Sequence, residues 1–206
     1  MKELVENLKL SGVLKTPAII AAFLRADRKR FVPPEFQKDA YRDAPLPIGK
    51  GQTISQPATV AFMFELLQAK PGDRVLDIGF GSGWTAALLS EIVGPGGKVF
   101  ALEVVPEVYE FGKRNLERAG YKNVTTLLRS GSIGLPEHAP FERIIAGAAT
   151  PKIPEAIIGA LAPRGRLVIP VGTPYSCSVV LVEKSAAGKI RRTDHPGFAF
   201  VPFVET

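Results

Sequence analysis

Val75-Leu76-Asp77-Ile78-Gly79-Phe80-Gly81-Ser82-Gly83 reads as a short strand that runs straight into three alternating glycines. From residue 82 to 93 the apolar side chains recur at helical spacing, so a helix follows the glycine turn. Strand, glycine turn and helix in succession open a doubly wound α/β sheet. In such a sheet the ligand lies in the crevice beyond the carboxyl ends of the strands, where glycines let the backbone come close to it.

Downstream the same grammar continues. Strands are expected over 75–78, 99–102, 124–128, 144–146 and 167–171, and helices over 82–93, over 106–119 and near 154–161. Alternation of this kind implies parallel pairing with right-handed crossovers and helices on both faces. At the end two strands, 178–182 and 198–204, are separated only by the polar stretch 184–196, which predicts an antiparallel pair closing the sheet. The expected architecture is a doubly wound, mostly parallel, seven-stranded sheet.

Upstream, Leu4, Leu8 and Leu10 before Ser11-Gly12 suggest one short helix. Ile19, Ile20, Phe23 and Leu24 suggest a second that opens near Thr16-Pro17. Between Phe31 and Pro57 the prolines 33, 34, 45, 47 and 57 with Gly49 and Gly51 forbid long helices. An irregular stretch of that length in a compact chain points to a functional loop. Val60, Met63, Phe64, Leu66 and Leu67 then give a helix ended by Lys70-Pro71-Gly72-Asp73. The organisation expected is a helical and loop extension over 1–57 and a sheet unit over 58–206, built as one compact body.

Composition narrows the function. With 206 residues, 46% hydrophobic and 22% charged, the chain has the make-up of an ordinary globular domain. Its longest apolar runs fall far short of the roughly 20 residues of a membrane span, so no membrane partner is expected. The net charge of +6 comes from scattered residues apart from Arg28-Lys29-Arg30 and Arg191-Arg192, so nucleic acid is not the expected partner. The single cysteine, Cys177, reads as a small buried residue in a strand and leaves no metal-ligand cluster to propose. A reducing cytoplasm and a monomeric chain are expected, and the first residues show no export signal.

The glycine loop itself distinguishes between ligands. A dinucleotide fingerprint G-x-G-x-x-G needs glycine at 84, where Trp84 stands. Asp77 at the strand end would repel a pyrophosphate and suits a cation instead. A nucleoside carrying a sulfonium and an ammonium, S-adenosyl-L-methionine, fits those charges. Glu103 ends the next strand about 20 residues on, in the place from which a carboxylate accepts both ribose hydroxyls. These features describe a Rossmann-like class I methyltransferase.

Several further segments resemble one methyltransferase family, the protein-L-isoaspartate O-methyltransferases. They are Asp27-Arg28-Lys29-Arg30-Phe31-Val32-Pro33, Pro45-Leu46-Pro47-Ile48-Gly49, Gln52-Thr53-Ile54-Ser55-Gln56-Pro57, Gly165-Arg166-Leu167-Val168-Ile169-Pro170-Val171-Gly172 and Phe200-Val201-Pro202. The segment from Gln52 to Pro57 is the most specific, because a general methyltransferase fold does not require it. The resemblance implies that this segment covers the donor through Thr53 and Ile54 and presents Ser55 to an isoaspartyl carboxylate. It also implies a donor site made of Asp77, Gly79, Gly81, Gly83, Glu103, Ser130 and Gly131. The implied partner is an isoaspartyl-containing peptide or protein, and the implied outcome is repair through a methyl ester and a succinimide.

Three positions depart from the family pattern. Arg129-Ser130-Gly131 replaces a Gly-Asp-Gly whose aspartate accepts the adenine amino group, Phe80 replaces a small residue, and Trp84 stands where tyrosine or a smaller residue is common. They leave open altered or lost donor binding, or an acceptor other than isoaspartate. His138 and His195 are each expected in loops without a nucleophile partner. The isoaspartyl α-carboxyl ionises near 3.5, so the transfer implied by the resemblance needs no general base.

Overall fold

The computed structural model describes residues 1–174 and 176–203. Two helices open the chain, α1 (Lys2–Leu10) and α2 (Pro17–Arg25), followed by single 3-10 turns at Arg28–Phe31 and Pro34–Phe36. A small hairpin follows, β1 (Leu46–Gly49) and β2 (Gln52–Ile54), and then α3 (Pro57–Leu67). The sheet unit runs β3 (Arg74–Ile78), α4 (Trp84–Val93), β4 (Lys98–Glu103), α5 (Pro106–Ala119), β5 (Val124–Leu128), β6 (Phe141–Ala146), α6 (Glu155–Gly159), β7 (Leu161–Thr173), β8 (Ser176–Lys184) and β9 (Ile190–Phe198). α2, α3 and α5 carry proline in their first turn, where its missing N–H costs no hydrogen bond.

The seven strands lie in the order β5-β4-β3-β6-β7-β8-β9. β3 to β7 are parallel, and β8 runs antiparallel to both neighbours. β3 sits at the switch point where the strand order reverses, which opens a crevice at its carboxyl end. Its residues Val75 to Ile78 are buried, as a central strand covered on both faces must be. The helices are shared unevenly between the faces. Side chains of α1 to α5 join one large core, while the other face is covered by the short α6 with Leu135, Phe141 and Ile153.

The structure departs from the expected boundaries where local chemistry overrides periodicity. The helix after the glycine turn begins at Trp84 and not at residue 82, because Gly79, Gly81 and Gly83 all have positive φ. The irregular stretch before Pro57 contains the β1–β2 hairpin, whose strands are too short to show a period. The last strand is Ile190–Phe198 and not 198–204, and Val204 lies outside the described residues. Its sequence IRRTDHPGF is polar because an edge strand is paired on one side only. His195 therefore stands in a strand and not in a loop, edge-on to Phe62. Cys177 is buried in β8.

Candidate active site

A cleft opens at the carboxyl ends of β3, β4 and β6. Its floor is the glycine loop, with Gly79, Phe80 and Gly81. Glu103, Val104 and Val105 form one wall, and Gly147 and Ala148 another. Gln52, Thr53, Ile54 and Ser55 come over the top from the hairpin, and Val201, Pro202 and Phe203 close the far side. The hairpin packs directly on the loop, since a Cβ on Gly81 would lie 3.5 Å from Ile48 Cδ1.

Of the residues that the sequence singles out, Thr53, Ile54, Ser55, Gly79, Gly81, Glu103 and Gly131 line this cleft. Glu103 is buried and braces the loop: its Oε2 accepts the Gly81 N–H at 3.2 Å, and its Oε1 accepts those of Val104 and Val105 at 2.8 and 3.0 Å. The Ser55 hydroxyl has no hydrogen-bond partner among the described residues and so keeps its donor for a ligand. Gly131 has no Cβ because one would stand 2.2 Å from Ile78 Cγ2 at the end of β3.

Three expected site residues do not line the cleft. Asp77 is buried behind Thr85, which does line it, and accepts the Thr85 hydroxyl at 2.7 Å. Burial pushes the Asp77 carboxyl up to about 7; the Thr85 hydrogen bond opposes that shift and neighbouring Glu103 adds to it. Its carboxylate therefore acts on the cleft through Thr85 and does not face a cation directly. Gly83 has its missing side chain turned toward α5, where a Cβ would stand 2.9 Å from both the Gly112 carbonyl and Leu116 Cγ. Ser130 is engaged locally: its Oγ lies 3.0 Å from the Ser132 Oγ and accepts the Ser132 N–H at 3.3 Å.

The departures from the family pattern have local partners. Arg129 lines the cleft but pairs with Glu137, which offsets its charge beside a site meant for a cation. The ring of Phe80 packs edge-on against Tyr109 and fills the space above Gly112, where a Cβ would come within 2.6 Å of Phe80 Cε2. Trp84 is buried, donates its indole N–H to the Ala26 carbonyl at 2.9 Å and meets Phe23 edge-on. It ties the amino-terminal extension to the sheet unit.

Sequence reasoning missed Thr85, Val104, Val105, Gly147 and Ala148. The last two follow β6 directly, and their position beyond a parallel strand next to the switch point was the available signal. The segment Val201 to Phe203 reaches the cleft by pairing with residue 149, whose N–H donates to Val201 O at 2.8 Å and whose carbonyl accepts the Phe203 N–H at 2.8 Å. Neither histidine enters the cleft: His138 stacks on Phe100, and His195 lies against Phe62.

Comparison with known proteins agrees with this geometry. The family model described as Protein-L-isoaspartate(D-aspartate) O-methyltransferase (PCMT) matches residues 1–206. The Protein-L-isoaspartate O-methyltransferase of Pyrococcus horikoshii is 47% identical over 204 residues, covering 98% of this chain and 92% of that protein. Its counterpart in Aeropyrum pernix is 46% identical over 202 residues, covering 98% and 78%. A crystal structure described as such a methyltransferase from Plasmodium falciparum, in complex with S-adenosyl-L-homocysteine, superposes with a TM-score of 0.88 at 25% identity and covers 100% of this chain and 98% of that one. Because the match takes in the covering hairpin and the carboxyl-terminal segment as well as the sheet, the chain belongs to the protein-L-isoaspartate(D-aspartate) O-methyltransferase family.

Proposed function

We infer that this chain transfers a methyl group from S-adenosyl-L-methionine to the α-carboxylate of L-isoaspartyl residues in peptides and proteins. The observation that carries the reading is the placement of the Gln52–Ile54 strand and Ser55 over a cleft whose floor is the glycine loop. Donor cleft and acceptor-facing segment share one space.

The residues present fit the donor. A Cβ on Gly79 would stand in open space, so the backbone there offers a ligand a bare surface. Glu103 uses three of its roughly four lone-pair sites on N–H partners and keeps about one, on Oε2, for a ligand hydroxyl. When bound, the donor supplies an electrophilic methyl group on a sulfonium. The chain has to hold the acceptor carboxylate in line with it and keep water out. A carboxylate is already ionised at neutral pH, which agrees with a cleft that has no histidine among its described lining residues.

Ser55 orients the acceptor by donating its hydroxyl hydrogen to the carboxylate. A hydrogen bond to a charged group contributes about 1.5–3 kcal/mol, or roughly 10- to 100-fold in rate if it is made in the transition state. Ser55→Ala is expected to lower transfer to an isoaspartyl peptide by that factor while S-adenosyl-L-homocysteine affinity, measured by calorimetry, stays within about threefold. An equal loss of S-adenosyl-L-homocysteine affinity would assign the serine to the donor instead.

A further inference from the structure

The transfer chemistry leaves one buried charge unused. Arg28 has no exposed surface, yet none of the described carboxylates lies within ion-pair distance of it; Asp43 acts on its charge from farther off. Its guanidinium donates to main-chain carbonyls only. Nη1 reaches Ala40 O at 2.8 Å and Arg42 O at 3.3 Å, and Nη2 reaches Ala44 O at 2.9 Å, Ile54 O at 3.5 Å and Ser55 O at 3.1 Å. Nε finds no partner among the described residues, and the guanidinium carbon lies 5.4 Å from the Trp84 ring centroid at the start of α4.

Packing alone does not call for arginine in such a place, because a buried cation is costly and an apolar side chain of similar volume commonly fills the space as well or better. What only arginine supplies is a planar fork of N–H donors. Apart from Ile54 O at the end of β2, the carbonyls it satisfies lie outside the helices and strands, at residues 40, 42, 44 and 55. They come from two stretches distant in sequence, 40–44 and 54–55, and the second carries the residue that faces the acceptor.

We propose that Arg28 is a positioning residue for methyl transfer, fixing where the 54–55 peptides, and with them the Ser55 hydroxyl, stand over the cleft. The proposal rests on the reading of Ser55 given above. Arg28 touches neither donor nor acceptor; it acts through the carbonyls of Ile54 and Ser55 and through Trp84 beside the glycine loop.

The test compares Arg28→Met, Arg28→Lys and Ser55→Ala for kcat and KM with an isoaspartyl peptide, calorimetric affinity for S-adenosyl-L-homocysteine, and amide hydrogen exchange. Arg28→Met is expected to lower kcat at least tenfold with S-adenosyl-L-homocysteine affinity within threefold, and to raise exchange in residues 40–44 and 52–57 but not in β3, β4 or β6. Arg28→Lys, which keeps the charge but has at most three N–H donors, is expected to fall between Arg28→Met and the parent. It carries the test if the methionine variant does not fold. A folded Arg28 variant with kcat within twofold of the parent, while Ser55→Ala is slowed, overturns the proposal. So does a fall in kcat that only follows a fall in S-adenosyl-L-homocysteine affinity. A parental rate in Ser55→Ala refutes the reading of the serine instead. Unchanged exchange in residues 52–57 of the Arg28 variants would then overturn the positioning role as well.

Discussion

Asp77 has a carboxyl group whose burial shifts its titration from near 4 in an unfolded chain to about 7 in the folded one. The folded state thus binds the proton more tightly. Stability from this group is present in full below pH about 4 and is lost as the pH rises through about 7. Asp77→Asn keeps an oxygen for the Thr85 hydroxyl and removes the titration. Measured by urea unfolding from pH 5 to 8, the stability of the Asp77→Asn variant relative to the parent is expected to rise up to about pH 7 and then level off. A constant difference would contradict burial as the cause. Among single residues the sequence was legible in part. Glu103, Gly79 and Gly81 could be placed because strand ends and positive-φ turns constrain them. Ser130 could not, because its rotamer depends on Ser132 and not on the strand before it.

Among the elements, the glycine loop and α5 form a close contact that a methyl group would break. A Cβ on Gly112 would stand 2.1 Å from the Gly81 carbonyl and 2.6 Å from the Phe80 ring. Gly112→Ala therefore forces the glycine loop and α5 apart, and S-adenosyl-L-homocysteine affinity is expected to fall by at least about tenfold, the equivalent of about 1.4 kcal/mol. Adding Phe80→Ala relieves the ring contact but leaves the carbonyl contact, so calorimetry should show at most partial recovery. Full recovery would mean that the ring alone transmits the effect. The central strands were readable because both of their faces are buried and their apolar runs are continuous. The hairpin and β9 were not. Four- and three-residue strands have no period to detect, and β9 has one unpaired edge and polar side chains.

The whole molecule depends on how its amino-terminal extension meets the sheet. Trp84 with Ala26 and Phe23, the Arg25–Glu91 ion pair and the Arg28 cluster all cross that boundary, so the extension is expected to unfold together with the sheet. The chain has a single tryptophan, which reports on the boundary itself. Its fluorescence and far-ultraviolet circular dichroism should give coincident urea transitions; an earlier fluorescence transition would show an extension that detaches first. The overall architecture was legible in the alternation of strands and helices, whereas the carboxyl-terminal segment's return to the cleft rests on its long-range pairing with residue 149. If the donor cleft and the acceptor-facing hairpin serve one transfer, the chain must discriminate between two peptides that differ only in an isoaspartyl or an aspartyl residue. Incubated with both peptides and methyl-labelled S-adenosyl-L-methionine, it is expected to place one base-labile methyl ester on the isoaspartyl peptide and none on its isomer. Equal labelling of both, or binding of the donor with labelling of neither, would contradict a shared site.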